Sequence, residues 1–171
     1  RLDLAFLLIL GAAVCDFFDG FSARLLGAYS PMGKELDSIA DTVTFGLLPA
    51  FMLFKVMHGI YGIESAYTWI PLLIAVFSGL RLAKFNIDER QTCSFLGLPT
   101  PGCAMVCGAL ASYLAVCPER PFAQFFTTGH PIAMAALVVL MCALLVYEIP
   151  MFSMKIHKGE GMNRAMRCRI S

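Results

Sequence analysis

The chain has 171 residues, of which 58% are hydrophobic and 15% charged, and its mean hydropathy is +0.74. Soluble domains carry charges on about 25% of their residues, so this composition indicates a membrane protein. The formal net charge is +1, and no basic stripe lies outside the C-terminal tail. This argues against a nucleic-acid partner, which calls for a strongly basic domain.

Five apolar segments follow one another along the chain, each near the length that a hydrocarbon core of about 30 Å requires. They predict transmembrane helices at about 4–24, 35–56, 66–85, 101–117 and 131–149. Residues 25–34 carry turn chemistry and connect the first two spans, and the polar stretch 86–100 is predicted as a loop. We therefore expect an all-α, polytopic transmembrane helix bundle that forms a single membrane domain over residues 1–171.

The remaining segments carry weaker signals. The fourth span is rich in Gly, Ala, Ser and Cys, which favours close helix packing in lipid. Residues 118–129 hold three phenylalanines that predict a lipid-interface anchor. The seven cysteines are mostly scattered singly, with only Cys103 and Cys107 one turn apart, and are interpreted as small buried residues. The tail 151–171 fits an amphipathic surface helix or a solvated loop equally well.

Four carboxylates, Asp16, Asp19, Asp37 and Asp41, lie in the first two spans toward the turn that joins them. An ionised Asp at the centre of a membrane helix costs about 2.5–3.5 kcal/mol even on lenient scales, so such groups need an offset. The i, i+3 and i, i+4 spacings place each pair on one helical face. Two carboxylate faces joined by a short turn can close on hard divalent cations, and four carboxylates suffice for two ions. The alternative is pairing with a nearby Arg or Lys.

The same stretch carries a longer motif, Asp16-x2-Asp19-Gly20-x2-Ala23-Arg24-x8-Gly33-x3-Asp37-x3-Asp41. At all eight specified positions it resembles the signature of the CDP-alcohol phosphatidyltransferase family. The resemblance implies an integral membrane enzyme that moves a phosphatidyl group from a CDP-linked lipid onto an alcohol and releases CMP. It also implies a divalent metal, Mg²⁺ or Mn²⁺, and a homodimer. Family members have a core of six or more helices, so the domain is expected to be incomplete at one or both ends.

The resemblance carries roles over to individual positions. All four aspartates are expected as metal ligands, and Asp41 is also the candidate general base that takes the proton of the acceptor alcohol. The residues expected to bind the CDP-lipid are Asp16, Gly20, Ala23, Arg24 and Gly33. The small residues would let a nucleotide lie against the backbone, and Arg24 would fork onto the diphosphate. The alternative for any one small residue is simple helix packing.

The segment 77–101 resembles the corresponding segment of the phosphatidylserine synthases within that family. The residues that carry the likeness are the run Leu80-Arg81-Leu82-Ala83-Lys84-Phe85-Asn86, followed by Gly97-Leu98-Pro99. This likeness favours serine as the acceptor, with CDP-diacylglycerol as the lipid donor and Arg81, Lys84 and Asn86 as acceptor-binding residues. Glycerol 3-phosphate or an inositol phosphate is the alternative acceptor. Arg81 and Lys84 could instead only mark the membrane boundary.

The distribution of basic residues predicts the orientation. Of the 13 Lys and Arg residues, only Arg1, Lys55 and Arg120 fall on the face opposite the aspartates, which leaves ten on the aspartate face. The positive-inside rule then puts the active site at the cytoplasmic face, of the plasma membrane if the source is prokaryotic. A remote alternative is a divalent-cation transporter. That function prefers acidic groups near the bilayer midplane, whereas these lie toward one face.

Overall fold

The computed structural model describes residues 1–27, 30–87, 98–127 and 131–147, apart from the side chains at 24, 85–87, 127 and 131. The described residues form helices and connections, with no strand among them. The helices are α1 Leu2–Leu26, α2 Pro31–Asp41, a π-helical segment Thr42–Leu47, α3 Leu48–Tyr61, a 3-10 segment Ala66–Leu72, α4 Leu73–Ile87, α5 Thr100–Val116, α6 Pro121–Thr127 and α7 Pro131–Val146. The predicted all-α class is confirmed.

Three continuous helical stretches in the described part of the chain are long and apolar enough to cross a membrane: Leu2–Ala23, Pro31–Tyr61 and Ala66–Lys84. The stretches Thr100–Val116 and Ile132–Val146 are apolar but shorter. These five stretches correspond in order to the five predicted spans. The protein is a polytopic helical membrane protein. The tail 151–171, most of the predicted loop 86–100 and the end of the fifth span lie outside the described residues.

The turn between the first two spans is shorter than predicted. Gly27 ends α1 in a left-handed conformation, with φ 61°, and its N–H donates to the Ala23 carbonyl. Ser30 caps α2 by accepting from the Gly33 N–H at 3.0 Å, and Pro31 occupies the start of the helix. Both are strong helix-start signals. The second helix therefore begins at Pro31 rather than near residue 35, and Gly33 belongs to its first turn.

A π-helical segment interrupts the second span directly after Asp41. Its wider turns end with the Leu48 N–H donating to the Val43 carbonyl, five residues back. Pro49 follows, and proline lacks the N–H that an α-helix needs while its ring presses on the carbonyl four residues earlier. We attribute the π-helix to this proline, since widening the turn relieves the clash without breaking the helix.

The core lies where α3 and α1 pack on α5. One face of α5 is fully buried and consists of small residues, namely Cys103, Ala104, Cys107, Gly108 and Ala111. A Cβ added to Gly108 would lie 2.9 Å from Phe6 Cδ2, so α1 approaches α5 closely. The predicted close packing of the fourth span is confirmed. Cys103, Cys107 and Cys142 are buried as predicted, whereas Cys15 is exposed, and that prediction is wrong for it.

Two local features were not predicted. The third span opens with a 3-10 segment rather than an α-helix, because Pro71 sits within it and cannot donate to an α-helical bond. The phenylalanine-rich stretch after the fourth span contains the short helix α6. Phe122 and Phe125 are exposed, which fits the predicted lipid-interface anchor, and Phe126 is buried.

The Tyr61 hydroxyl ties the end of α3 to α6 by donating to the Phe126 carbonyl at 2.7 Å. Tyr61→Phe leaves that carbonyl without this donor, so we expect a loss of about 0.5–1.5 kcal/mol in stability. Thermal unfolding of the purified protein in detergent measures this. Tyr67→Phe is the matched control, since Tyr67 is 39% exposed and makes no hydrogen bond among the described residues. Equal unfolding temperatures for the two variants would contradict a stabilising role of the hydrogen bond from Tyr61 to Phe126.

Candidate active site

A single pocket gathers the four predicted aspartates at one end of the first two spans. Its volume is about 360 Å³. It is lined by Ala12, Cys15, Asp16 and Asp19 from α1, by Asp37, Ala40 and Asp41 from α2, and by Thr44 and Phe45 from the π-helix. The predicted meeting of two carboxylate faces is therefore present in the structure.

Three of the aspartates form a tight cluster. One carboxylate oxygen from each of Asp16, Asp37 and Asp41 lies within 4.8 Å of the other two. Asp16 and Asp41 are half-buried and Asp37 is exposed. Asp19 lines the same pocket but lies outside this three-oxygen cluster. The four predicted ligands are thus divided into a close group of three and one neighbour.

Helical periodicity explains why the second helix presents its side chains to the pocket. Its lining residues are Asp37, Ala40, Asp41, Thr44 and Phe45, an i, i+3, i+4, i+7, i+8 pattern. On α1 the corresponding residues Ala12, Cys15, Asp16 and Asp19 follow the same rule. Neither the cap at Ser30 nor the π-helix rotates these positions out of the pocket. The site is built from two rigid helices rather than from loops.

The cluster fits a divalent cation by geometry and by charge. Oxygen ligands about 2.0–2.6 Å from one ion lie at most about 5 Å apart, and the observed spacing is within that range. None of the three carboxylates makes an ion pair with a described side chain. Among the described side chains, the charge of Arg81 acts on Asp41 without a direct ion pair, so the alternative of neutralisation by a neighbouring Arg or Lys is met only in part. The Arg24 side chain lies outside the description.

Arg81 lies on α4, a helix that packs against α2 and the π-helix. Arg81 is partly buried, its charge acts on Asp41, and its Nε has no hydrogen-bond partner among the described residues. Lys84 lies one turn further along α4 and is exposed. Asn86 belongs to the same helix, but its side chain lies outside the described residues. Among the described side chains of the predicted acceptor-binding residues, that of Arg81 lies close enough to Asp41 for the two charges to interact.

The predicted CDP-binding glycines, Gly20 and Gly33, are not among the described residues that line the pocket. A Cβ added to Gly20 meets no described atom within 4 Å, so helix packing among the described residues does not explain this glycine. A Cβ on Gly33 would lie 2.9 Å from Ser30 Oγ, so Gly33 leaves room for the cap of α2. Ala23 is half-buried on α1. Their roles toward a nucleotide stay predictions.

Sequence reasoning missed Cys15 and Thr44 as pocket residues. Thr44 lies three residues after Asp41 and seven after Asp37, so the spacing of the aspartates themselves points to it. Its hydroxyl has no hydrogen-bond partner among the described residues, whereas the Thr42 hydroxyl donates to the Ser38 carbonyl at 2.8 Å. Cys15 is adjacent to Asp16, but its position in an apolar run made burial the simpler interpretation.

Comparison with known proteins gives the class to which this site belongs. The family model for CDP-alcohol phosphatidyltransferase matches residues 1–157. The chain therefore belongs to the CDP-alcohol phosphatidyltransferase family, and it is a phosphatidyltransferase. Membership in a family of transferases argues against the alternative function of divalent-cation transport. No solved structure matches the chain.

Individual relatives carry a more specific name than the family. The chain is 34% identical to the CDP-diacylglycerol–serine O-phosphatidyltransferase of Bacillus subtilis (strain 168), an alignment that covers 92% of this chain and 80% of that protein. It is 40% identical to the protein of the same name from Mycobacterium tuberculosis (strain H37Rv), covering 88% of this chain and 52% of the relative. For the Methanocaldococcus jannaschii protein of that name, identity is 38%, over 64% of this chain and 53% of the relative. The chain thus spans about half the length of the last two.

The hydroxyl of Thr44, a pocket residue, has no hydrogen-bond partner among the described residues, and its contribution to phosphatidyl transfer can be tested by substitution. Thr44→Val keeps the shape of the side chain and removes one hydrogen-bonding group, so we expect kcat/KM for phosphatidyl transfer to fall by about tenfold, the equivalent of one hydrogen bond. Thr44→Ser keeps the hydroxyl and is expected to stay near wild type. Thr42→Val is the control, because that hydroxyl bonds within its own helix. Equal losses in Thr44→Val and Thr42→Val would show that the pocket hydroxyl has no separate role.

Proposed function

We propose that the chain transfers the phosphatidyl group of CDP-diacylglycerol to the hydroxyl of L-serine, giving phosphatidylserine and CMP. The observation that carries this proposal is the cluster of Asp16, Asp37 and Asp41 in a pocket of a phosphatidyltransferase. The printed names of the relatives support serine as the acceptor. The whole chain is proposed to act as one membrane domain, of which residues 1–157 match the family model.

The aspartates are proposed to hold two divalent ions, Mg²⁺ or Mn²⁺. Asp16, Asp37 and Asp41 would supply ligand oxygens from the cluster, and Asp19, which lines the same pocket, would supply a further one. When bound, such ions neutralise charge on the diphosphate and on the departing CMP. Carboxylate oxygens are the ligand type that these hard cations prefer. Gly20, Ala23, Arg24 and Gly33 are proposed to bind the CDP portion of the lipid.

Asp41 is proposed to act as the general base. The serine oxygen attacks the phosphorus that carries diacylglycerol, the bond from that phosphorus to the bridging oxygen of CMP breaks, and Asp41 accepts the hydroxyl proton. Asp41 suits this role because it is half-buried in the pocket and lies on the side that faces Arg81. A positioned base contributes typically about 10²–10⁴-fold to rate.

Arg81 is proposed to hold the carboxylate of serine. A guanidinium is always charged and binds carboxylates in a fork geometry. Its partly buried position beside Asp41 would put the serine carboxylate and the serine hydroxyl at neighbouring groups of the protein. Lys84 and Asn86 follow on the same helix and are proposed to complete the acceptor site. A cytoplasmic active site and a homodimer, both predicted from the sequence, belong to the same proposal.

The choice of acceptor is tested by adding radiolabelled serine and CDP-diacylglycerol to membranes that contain the full-length protein. We expect labelled phosphatidylserine and an equal amount of CMP. Membranes with the Asp41→Asn variant serve as the control for background synthesis. If labelled lipid forms with glycerol 3-phosphate or an inositol phosphate but not with serine, the serine proposal is wrong and the family assignment stands.

The separate roles of the aspartates, as metal ligands or as general base, are tested by substitution to Asn across a range of Mg²⁺ and Mn²⁺ concentrations. Asp16→Asn and Asp19→Asn are expected to weaken metal-dependent binding of CDP-diacylglycerol, with activity partly recovered at high metal. Asp41→Asn is expected to retain lipid binding and to lose about 10²–10⁴-fold in turnover at every metal concentration. Full recovery of Asp41→Asn by excess metal would show it to be a ligand alone.

A further inference from the structure

The helix that carries Asp37 and Asp41 meets α4 at one very close contact. A Cβ added to Gly46, in the π-helix, would lie 2.8 Å from Ser78 Cβ, 3.3 Å from Ser78 Oγ and 3.6 Å from Ala75 Cα. Ser78 is fully buried and Gly46 is buried as well. Because the first contact is with a Cβ rather than with the end of a flexible side chain, a larger residue at position 46 requires the two helices to move apart.

This contact lies next to the proposed acceptor site. Ser78 and Arg81 are three residues apart on one face of α4, which is about 4.5 Å along the helix axis. Thr42 packs beside Gly79, so the two helices run in opposite directions and Asp41 comes level with the Arg81 end of α4. Any separation of the helices at Gly46 therefore carries Arg81 away from Asp41.

The position of the Arg81 side chain depends on the placement of α4, because Arg81 Nε makes no hydrogen bond to a described residue. The buried side-chain nitrogen and oxygen atoms without a hydrogen-bond partner in the described part of the chain are Arg81 Nε and Ser78 Oγ. Buried polar atoms normally have partners, and leaving one without costs about 1–3 kcal/mol. Since no described residue bonds to Nε, the placement of α4 contributes directly to the position of the Arg81 side chain.

We propose that Gly46 and Ser78 are positioning residues, whose contact sets the spacing between α4 and the carboxylate helix and so determines the affinity for the acceptor. The proposal rests on the proposed function, in which Arg81 holds the serine carboxylate. The metal cluster is built from α1 and α2, so the contact should affect the acceptor much more than the metal or the CDP-lipid.

The test is Gly46→Ala in the full chain, with KM measured separately for serine and for CDP-diacylglycerol. We expect KM for serine to rise by about tenfold or more, since misplacing a positioning group by about 1 Å can cost up to 10²-fold. KM for CDP-diacylglycerol and the affinity for Mn²⁺ are expected to stay within about twofold, as neither ligand is held by α4. Equal increases in both KM values, or no increase for serine, would overturn the proposal.

Two further variants separate spacing from general damage. Gly79→Ala is the matched control on the same helix pair, because its Cβ would lie at an ordinary 3.5 Å from Thr42 Cγ2, and it is expected to behave as wild type. The double variant Gly46→Ala with Ser78→Gly removes the clashing Cβ and is expected to restore KM for serine. A folded double variant, monodisperse in detergent, that keeps the high KM contradicts the proposal.

If Gly46→Ala alone does not fold, Ser78→Thr and Ser78→Ala test the same contact from the α4 side. Ser78→Thr adds a methyl group at the contact and is expected to raise KM for serine, whereas Ser78→Ala keeps the Cβ and is expected to leave KM unchanged. The reverse order would assign the effect to the hydroxyl and overturn the spacing argument. If the wild-type chain uses another acceptor, the proposed function fails, and the same KM comparison with that acceptor still decides the role of the contact.

Discussion

Mutual repulsion among the carboxylates of Asp16, Asp37 and Asp41 limits what the pocket can contain. Two unit charges 4.8 Å apart, the largest separation within the cluster, repel by about 3.5 kcal/mol at an effective dielectric constant of about 20, and by less where water screens them. The cluster contains three such pairs, within helices that are otherwise apolar. A chain that kept this arrangement for packing alone would gain nothing from it, because small apolar residues fill the same positions without the repulsion. The arrangement is consistent with a site that receives positive charge.

The helices around the cluster hold these groups together by rigid means. α1 is fixed through its close approach to α5, where Gly108 leaves room for Phe6 and Ile9. The carboxylate helix is fixed at its start by the Ser30 cap and continues without a break through the π-helix into the core at Leu53. Sites on rigid helices hold reacting groups more accurately than sites on loops. The pocket therefore needs no loop to bring its carboxylates together.

Around the π-helix, two adjacent faces of the second span have different roles. One face, through Asp41 and Thr44, lines the pocket, while the adjacent face, through Thr42 and Gly46, packs on α4. Pro49 accounts for the widened turn by removing a backbone donor. A helix irregularity of this kind is frequent at functional sites. Here it lies between the clustered aspartates and the buried part of the same helix.

Much of the fold and of the site followed from periodicity. Asp16, Asp19, Asp37 and Asp41 were predicted to share a pocket because i, i+3 and i, i+4 spacings fix a helical face whatever the tertiary structure. Thr44 continues the same pattern and could have been found. Pro49 within a long apolar run was a readable signal for the irregular turn, and Pro31 after Ser30 was one for the earlier start of the second helix.

Other features depend on tertiary packing and had no local signal. Gly46 and Ser78 lie in segments about thirty residues apart, and the sequence of neither segment indicates that the two are in contact. The same holds for Arg81 beside Asp41. Cys15 was expected to be buried because it lies in an apolar run, yet its face of α1 borders the pocket. Composition indicates that a residue is apolar enough for burial, and only the packing decides which face is covered.

The proposed binding of two metal ions in the aspartate pocket can be measured by electron paramagnetic resonance of Mn²⁺ bound to the purified full-length protein in lipid nanodiscs. Paired metal ions in such centres lie about 3.5–4 Å apart. We expect two bound Mn²⁺ per chain with a spin-coupled spectrum, and loss of the coupling in Asp37→Asn. Stoichiometric binding of isolated, uncoupled ions that Asp16→Asn and Asp37→Asn leave unchanged would contradict it.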